Sequence, residues 1–367
     1  MSAEEPTARR VLVTGLATTW GGQLARALES HPQVEAIIGI DSSEPRVELE
    51  RTEFVKVSNR HSLLARILRA AEIDTVVDVR LAVNSVAMTP AEAHENNVIG
   101  TMSILAACQE SDCVRRLVFK SSAHYYGSEQ DDPAFFTEDM RRPHRPRTRL
   151  ERDIVEAEGL VAEFAHTTPR VGVAVARCAN VLGPGLDTAF TRLFALPLVP
   201  MILGFDPRLQ FVHQDDVVRA LEFLTLSDLG GTYNVAADGV LALSEVISLL
   251  GKRPAPVVPP VGTGLLASAL RVVGVRVPEE LLNLLRFGRG LDNRKLKAAG
   301  FTYTHTSREA VQRLGEHLRL EPVRRGLEPA YTYEREVEAF LRWSPYVRRE
   351  RRGGREGVEA DHEPLGI

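Results

Sequence analysis

The stretch Val11-Leu12-Val13-Thr14-Gly15-Leu16-Ala17-Thr18-Thr19-Trp20-Gly21-Gly22 decides the fold of this chain. A short apolar run leads into the glycine turn, and apolar residues at helical spacing follow it at Leu24, Ala25 and Leu28. This order of strand, glycine turn and helix is the phosphate-binding opening of a dinucleotide fold, because the helix N-terminus offers free N–H groups and a positive dipole end. The glycine pattern is incomplete, since Thr18 stands where the backbone usually comes closest to the phosphates.

An acidic residue follows about twenty residues after this turn, as a dinucleotide fold requires. The apolar run 36–40 ends at Asp41, the place of an acid that binds the two hydroxyls of a ribose, although a plain loop or cap residue is the alternative. Further strands near 54–57, 75–79, 116–119 and 171–176 alternate with amphipathic helices at 61–71, 90–109 and 149–166. The sequence therefore predicts an α/β protein with a Rossmann-type, doubly wound parallel sheet.

Length and composition exclude several classes of protein. A chain of 367 residues with 44% hydrophobic content can bury a large core and suggests two lobes. A net charge of −4 and a pI of about 6.2 argue against a nucleic-acid binder. The three cysteines lack metal-ligand spacing and are odd in number, so we expect neither a metal site nor a disulfide framework. No signal peptide and no apolar run of ~18 residues is visible, so we expect a cytoplasmic protein without a membrane span.

Five ordered segments and a closing motif carry a family resemblance, at 14–21, 97–101, 118–127, 177–185, 210–217 and 292–301. In these segments the chain resembles an extended short-chain dehydrogenase/reductase of the NAD-dependent epimerase/dehydratase family, of the type similar to the UDP-glucose 4-epimerases. The match covers about residues 9–305. With the chain pattern, it predicts a Rossmann domain over 1–185, to which the chain returns at about 209–238. A smaller, mainly helical substrate lobe is predicted over 186–345, and a disordered charged tail over 346–367.

The resemblance implies NAD as the cofactor and a nucleotide sugar or related molecule as the substrate. The cofactor-binding candidates are Gly15, Thr18, Thr19, Trp20, Gly21, Asp41, Ser58 and Asn97. The carboxylate of Asp41 favours NAD over NADP, because it would repel a 2′-phosphate. Ser58 replaces an adenine-binding aspartate of the family, and Asn97 could instead be a buried amide satisfied by the backbone.

The catalytic pair of the family is missing from its expected place. The family has a tyrosine four residues before a lysine, on one face of a helix. Alignment on Glu156 puts Thr148 in the tyrosine slot and Arg152 in the lysine slot. A threonine hydroxyl cannot relay protons near neutral pH, and an arginine guanidinium keeps its charge. The usual chemistry is therefore expected to be lost or relocated.

The segment after the strand at 116–119 contains the remaining catalytic candidates. The resemblance implies that Ser122 hydrogen-bonds the reacting oxygen of the substrate. His124 and Tyr125 are the candidate substitutes for the missing acid, because they follow closely and a histidine titrates near neutral pH. Packing residues are the alternative reading of both side chains.

Substrate contacts and assembly follow from the same resemblance. Asn180, Arg286 and Arg289 are the candidates for contact with a substrate diphosphate. The helices at about 88–109 and 149–166 pair in the homodimers of the family, so a four-helix contact is expected here. Two functions remain open: an NAD-dependent enzyme acting on a nucleotide sugar, or a non-catalytic nucleotide-sugar-binding protein with a structural or regulatory role.

Overall fold

The computed structural model describes residues 9–57, 61–83, 88–258 and 278–327. Its strands are β1 (Arg9–Thr14), β2 (Val34–Asp41), β3 (Thr52–Lys56), β4 (Thr75–Asp78), β5 (Arg116–Ser122), β6 (Phe135–Phe136), β7 (Gly172–Cys178), β8 (Asn180–Leu182), β9 (Leu198–Ile202), β10 (Arg208–Leu209), β11 (Phe211–His213), β12 (Gly231–Val235), β13 (Leu241–Ala242), β14 (Arg253–Val257) and β15 (Gly290–Leu291).

The helices in these ranges are α1 (Thr19–Glu29), α2 (His61–Ala70), α3 (Pro90–His94), α4 (Gly100–Glu110), α5 (Arg149–Thr167), α6 (Ala189–Ala195), α7 (Gln214–Leu226), α8 (Leu243–Leu249), α9 (Glu279–Phe287), α10 (Arg294–Ala298) and α11 (Ser307–Leu327). A π-helical turn over Glu95–Ile99 joins α3 to α4, and a 3-10 turn over Ala123–Tyr125 follows β5. None of the helices described is long and apolar enough to cross a membrane.

Seven of the strands form one parallel sheet, in the order β3-β2-β1-β4-β5-β7-β12. β4 and β5 are buried along their whole length, and the apolar residues Val76 and Val77 and the apolar run 117–119 lie within them. The strand order reverses between β1 and β4, and ligands of open α/β sheets bind at the carboxyl ends of the strands at such a point. The predicted Rossmann-type, doubly wound sheet is confirmed.

Helices cover both faces of the sheet. Val11 and Val13 of β1 join one hydrophobic cluster, and Leu12 between them joins the other, because side chains alternate along a strand. The first cluster includes the apolar faces of α1 and α7, and the second includes those of α2, α4 and α5. The two buried faces hold the carboxyl ends of the strands in fixed positions, and these ends carry the candidate site.

A third hydrophobic cluster lies later in the chain and contains residues of α6, α8, α9 and α11, with Phe211 of β11 among them. Met1–Arg319 groups as one compact unit and Leu320–Ile367 as another. The third cluster supports a core for the predicted substrate lobe, although the division at residue 185 stays a prediction. The predicted tail at 346–367 lies outside the described residues.

The predicted helix at 90–109 contains a wider turn. Thr89 caps α3 through a capping box with Glu92, and the π-helical turn then separates α3 from α4. A π turn has one more residue than an α turn, so it rotates the residues that follow it. Asn97 lies inside this turn and is directed towards the chain segment after β4.

Candidate functional site

The turn between β1 and α1 is held together by hydrogen bonds among its own residues. Gly15 has a φ of +84°, in the left-handed region that favours glycine. The Thr18 hydroxyl donates to the Gly15 carbonyl at 2.6 Å and accepts from the Gly21 N–H at 3.1 Å. A Cβ at Gly21 would lie 2.1 Å from the Gly15 oxygen, so a glycine is required for α1 to approach this closely. The Thr18 hydroxyl is thus used as a helix cap.

Asp41 lies directly against this turn. One carboxylate oxygen accepts from the Ala17 N–H at 2.9 Å, and the other accepts from the Ser42 N–H at 2.6 Å. Thr19 is exposed and Trp20 is partly buried at the first turn of α1, where backbone N–H groups have no partner within the helix. An acid beside a helix N-terminus suits the ribose and diphosphate of a dinucleotide, so these residues fit such a ligand.

Of the cofactor candidates, Ser58 lies outside the described residues, and Asn97 has another role. The Asn97 amide donates to the Ala82 carbonyl at 2.9 Å, and its oxygen accepts from the Ala82 N–H at 2.8 Å. Asn97 is fully buried, so its side chain is already satisfied by the backbone. The expectation that Asn97 binds the cofactor is corrected to a structural role, which was the alternative reading of the sequence.

Arg80 covers the glycine turn from the side of β4. Its guanidinium pairs with the Asp78 carboxylate at 2.9 and 3.0 Å, and Asp78 also accepts from the Thr14 hydroxyl at 2.8 Å. A Cβ on Gly15 would lie 2.8 Å from the Arg80 Cγ. The charges of this buried pair compensate each other. Arg80 therefore packs against the glycine turn, and its charge is already used by Asp78 and not left to bind a phosphate.

A cavity of about 80 Å³ lies at the carboxyl ends of β5 and β7. It is lined by Ser122, His124 and Asn180 from the sequence prediction and by Trp20 of the glycine turn. The Ser122 hydroxyl accepts from the His124 N–H at 3.3 Å, at the start of the 3-10 turn. Lys120, which the sequence reading did not select, also lines this cavity.

His124 cannot supply a proton near neutral pH. Burial, together with the positive charges of Arg289 and Arg142, holds the pKa of His124 well below its ordinary value. Its imidazole is therefore neutral at pH 7, which corrects the expectation of titration near neutrality. Tyr125 packs under the Arg177 guanidinium, 3.6 Å from the ring centroid, as the packing alternative predicted.

Helix α5 directs the two predicted slot residues away from the strand ends. Thr148 is the N-cap of α5 and forms a capping box with Glu151. Arg152 is exposed and lies about 160° around the helix from Ile154, which is in the middle of the buried face. The expectation that Thr148 and Arg152 face the cofactor is therefore wrong.

The α5 acid that reaches the sheet is Glu158. Its carboxylate accepts from the Arg177 guanidinium at 2.6 and 3.0 Å and from the Ser121 hydroxyl. If the family motif is aligned on Glu158 instead of Glu156, Leu150 takes the tyrosine position and Ile154 the lysine position. Both residues belong to the hydrophobic core. The sequence could not distinguish these placements, because both acids have the right spacing from an apolar helix face.

The predicted diphosphate residues do not share one cavity. Arg286 and Arg289 line a second cavity of about 380 Å³, whereas Asn180 lines the strand-end cavity. Arg289 is buried, donates to the Gly127 carbonyl at 3.0 Å, and has its pKa lowered to about 10 by burial. Asn180 donates to the Gln210 carbonyl at 3.1 Å.

One group among the described residues has the separations of metal ligands, formed by His94, Asp153 and Glu156. The His94 imidazole is 2.9 Å from the Asp153 carboxylate, and this hydrogen bond raises the pKa of His94. The group lies on α3 and α5, away from the strand ends that carry the other candidates. The histidine–carboxylate hydrogen bond accounts for its geometry without a metal.

Known proteins share this sequence pattern and fold. The model of the "NAD dependent epimerase/dehydratase family" matches residues 11–236. Uncharacterized protein Rv0501 of Mycobacterium tuberculosis is 37% identical over 295 residues, which are 78% of each chain. UDP-glucose 4-epimerase of Thermotoga maritima, solved with UDP-glucose, has a TM-score of 0.66 at 20% identity, over 85% of this chain and 99% of that one. MoeE5 in complex with UDP-glucuronic acid and NAD has a TM-score of 0.65 at 23% identity, with the same coverage.

Proposed function

Because the chain belongs to the NAD-dependent epimerase/dehydratase family, we propose that it binds NAD and a nucleotide sugar at the carboxyl ends of its central strands. The observation that carries this proposal is the Asp41 carboxylate, held 2.9 Å from the Ala17 N–H beside the first turn of α1. The NAD in the MoeE5 complex and the UDP-glucose in the Thermotoga maritima enzyme support the choice of ligands.

Each part of the turn has a role towards the dinucleotide. Asp41 would accept hydrogen bonds from the two ribose hydroxyls, and the free N–H groups of Thr19 and Trp20 would bind the diphosphate. Gly15 and Gly21 set the close packing that brings these groups together. NAD, when bound, supplies a hydride acceptor next to the substrate carbon.

The strand-end cavity is the proposed place of the reacting sugar carbon. The Ser122 hydroxyl would hydrogen-bond the oxygen on that carbon, and Asn180 would contact the nucleotide side of the ligand. Arg286 and Arg289, in the larger cavity, carry the positive charge that a diphosphate would need. Residues 186–345 are proposed as the substrate lobe.

A second candidate function is binding without turnover, in a structural or regulatory role. It is favoured by the described face of α5, where Leu150 and Ile154 stand in place of an acid/base pair and Thr148 is a helix cap. An enzyme would need another group to move the substrate proton. The choice between the two functions therefore depends on the strand-end cavity.

Calorimetry with NAD, NADP and UDP-glucose tests the proposed function. We expect NAD to bind more tightly than NADP, because Asp41 repels a 2′-phosphate, and we expect UDP-glucose to bind the NAD-loaded protein. Tighter binding of NADP, or no binding of either dinucleotide, would contradict the proposal. Turnover of a nucleotide sugar at ~1–10³ s⁻¹, the usual range of enzymes, would exclude the non-catalytic alternative.

A further inference from the structure

Lys120 is a cation that the central sheet buries at the strand-end cavity. It is 1% exposed, and its side chain lines the cavity together with that of Ser122. Among the described residues its amine has no hydrogen-bond or ion-pair partner, and it lies over the Trp20 ring, 4.9 Å from the ring centroid. A buried, unpaired ammonium is strongly unfavourable, so the amine is either neutral or matched by a ligand.

The surroundings of Lys120 favour the neutral amine. Burial lowers the pKa of Lys120, and the electrostatic influence of the nearby Cys178 and Asp78 side chains opposes this only in part. The Asp78 carboxylate is already bound to Arg80, and burial raises the pKa of the Cys178 thiol, so that thiol is neutral. The His124 imidazole on the cavity wall is neutral too. A neutral lysine amine has a lone pair and can accept a proton.

Lys120 and Ser122 lie two residues apart on β5 and line the same cavity. Residues two apart on a strand point to the same face, about 7 Å apart along the chain, and a lysine side chain spans this distance. The cavity of about 80 Å³ has room for a small polar group such as a hydroxyl. A hydroxyl bound by Ser122 would thus meet the amine within the same cavity.

We propose that Lys120 is the proton-exchanging group of this site and takes the proton of a sugar hydroxyl that is bound at Ser122. The proposal rests on the proposed function, since it needs the nucleotide sugar. In this step the O–H bond breaks, its electron pair stays on the oxygen, and the proton forms a new N–H bond at Nζ; the reverse step returns it. The acid/base group then comes from the sheet, because Leu150 and Ile154 occupy the helix positions.

Lysine NMR with ¹³Cε-labelled lysine tests the ionisation of Lys120. The chain has five lysines, so five resonances are expected, and Lys120→Met removes the one to be assigned. If that variant does not fold, Lys→Arg changes at Lys56, Lys252, Lys295 and Lys297 assign the same resonance by elimination. We expect Lys120 to titrate below the ordinary range of lysine, because burial disfavours its charged form. Titration of Lys120 within the ordinary lysine range would overturn the proposal.

Ligand addition tests the contact with the substrate. Addition of NAD with UDP-glucose is expected to shift the Lys120 resonance and its titration midpoint and to leave the Lys56 resonance unchanged. In the Ser122→Ala variant the Lys120 shift should be absent. Lys56→Met is the matched control and should keep the Lys120 shift. Calorimetric binding of both ligands with an unmoved Lys120 resonance would overturn this proposal alone. Absence of any binding would overturn the proposed function and remove the substrate on which Lys120 is proposed to act.

Discussion

At the scale of single residues, we expect Asp41 to set the strength and selectivity of dinucleotide binding. Its carboxylate already accepts the Ala17 and Ser42 N–H groups, so it is held in place before a ribose arrives. Asp41→Ala is expected to weaken NAD binding by about 1–3 kcal/mol, the loss of hydrogen bonds to a charged group. Calorimetry measures this change.

The control for this change is Glu53→Ala, which removes the same charge from an exposed position on β3. It should leave the affinity for NAD unchanged. Equal losses in Asp41→Ala and Glu53→Ala would mean that net charge, and not the ribose contact, determines binding.

Glu158 is the buried acid on which the contact between α5 and the sheet depends. Removal of its charge in Glu158→Gln leaves the Arg177 guanidinium buried without a counter-charge. We expect the free energy of unfolding to fall by about 3–5 kcal/mol. Urea denaturation measures this loss, and Glu156→Gln on the exposed face is the control. A loss of unfolding free energy in Glu158→Gln that is smaller than that in Glu156→Gln would contradict the Glu158–Arg177 pair.

Sequence reasoning can place residues whose position in the fold is set by their near neighbours in the chain. Gly15, Asp41 and Ser122 belong to local strand-end motifs, and the fold follows from the same motifs. Glu158 was missed because the choice between it and Glu156 depends on the rotation of α5 against the sheet. Lys120 was missed although it had a signal, a charged residue directly after the apolar run 117–119 of a buried parallel strand.

At the scale of elements, the orientation of α5 decides whether an acid/base pair can be rebuilt. Thr148→Tyr with Arg152→Lys restores the spacing of the family motif, but Arg152 lies on the exposed face. We expect no gain in turnover of UDP-glucose, and a loss of about 1 kcal/mol in stability from removal of the helix cap. Kinetic assays and thermal unfolding measure the two effects, and Thr148→Ala is the control for the cap. A clear gain in turnover would show that α5 can present this face to the site.

Asp216, in the first turn of α7, makes the stability of the fold depend on pH in the acidic range. Asp216 accepts from the Thr304 N–H at 2.9 Å, the Thr304 hydroxyl at 2.7 Å and the His305 N–H at 3.0 Å. Burial raises the pKa of Asp216, but these hydrogen bonds outweigh it, so the pKa lies below its ordinary value.

Because the folded pKa of Asp216 is lowered, its stabilisation is present above about pH 4, the ordinary aspartate range, and is lost as the pH falls towards the folded pKa. Asp216→Asn should remove this part of the pH dependence, which is expected as the pH falls below about 4. Urea denaturation of both proteins across this range measures it. Parallel pH curves for the variant and the parent would contradict the prediction.

At the scale of the whole molecule, the structure limits which apolar residues of α4 and α5 are available for the expected homodimer contact. Leu105, Ile154 and Val161, which are apolar residues of α4 and α5, belong to the core between the helices and the sheet. Met102 on α4 is 49% exposed and remains available. We propose a dimer through α4 and α5 that includes Met102.

Sedimentation velocity at micromolar concentration tests the dimer. Met102→Glu is expected to shift the protein towards the monomer, because it places a charge in an apolar contact. Met140→Glu, at another exposed methionine, is the matched control and should leave the sedimentation coefficient unchanged. A monomeric parent protein would refute the dimer.

The position of β12 in the sheet has a consequence for synthesis on the ribosome. β7 ends at Cys178, but the strand that covers its outer edge is completed only at Val235. At ~5–20 residues per second, translation needs about 3–11 s to produce the missing segment. During that interval the nascent chain exposes the open edge of β7, to which another strand could add. The Arg116 guanidinium also lacks its partners during this interval, because it binds the Leu224 and Leu229 carbonyls of the same later segment. Nascent chains of this protein should therefore need chaperone protection most strongly between these two points of elongation.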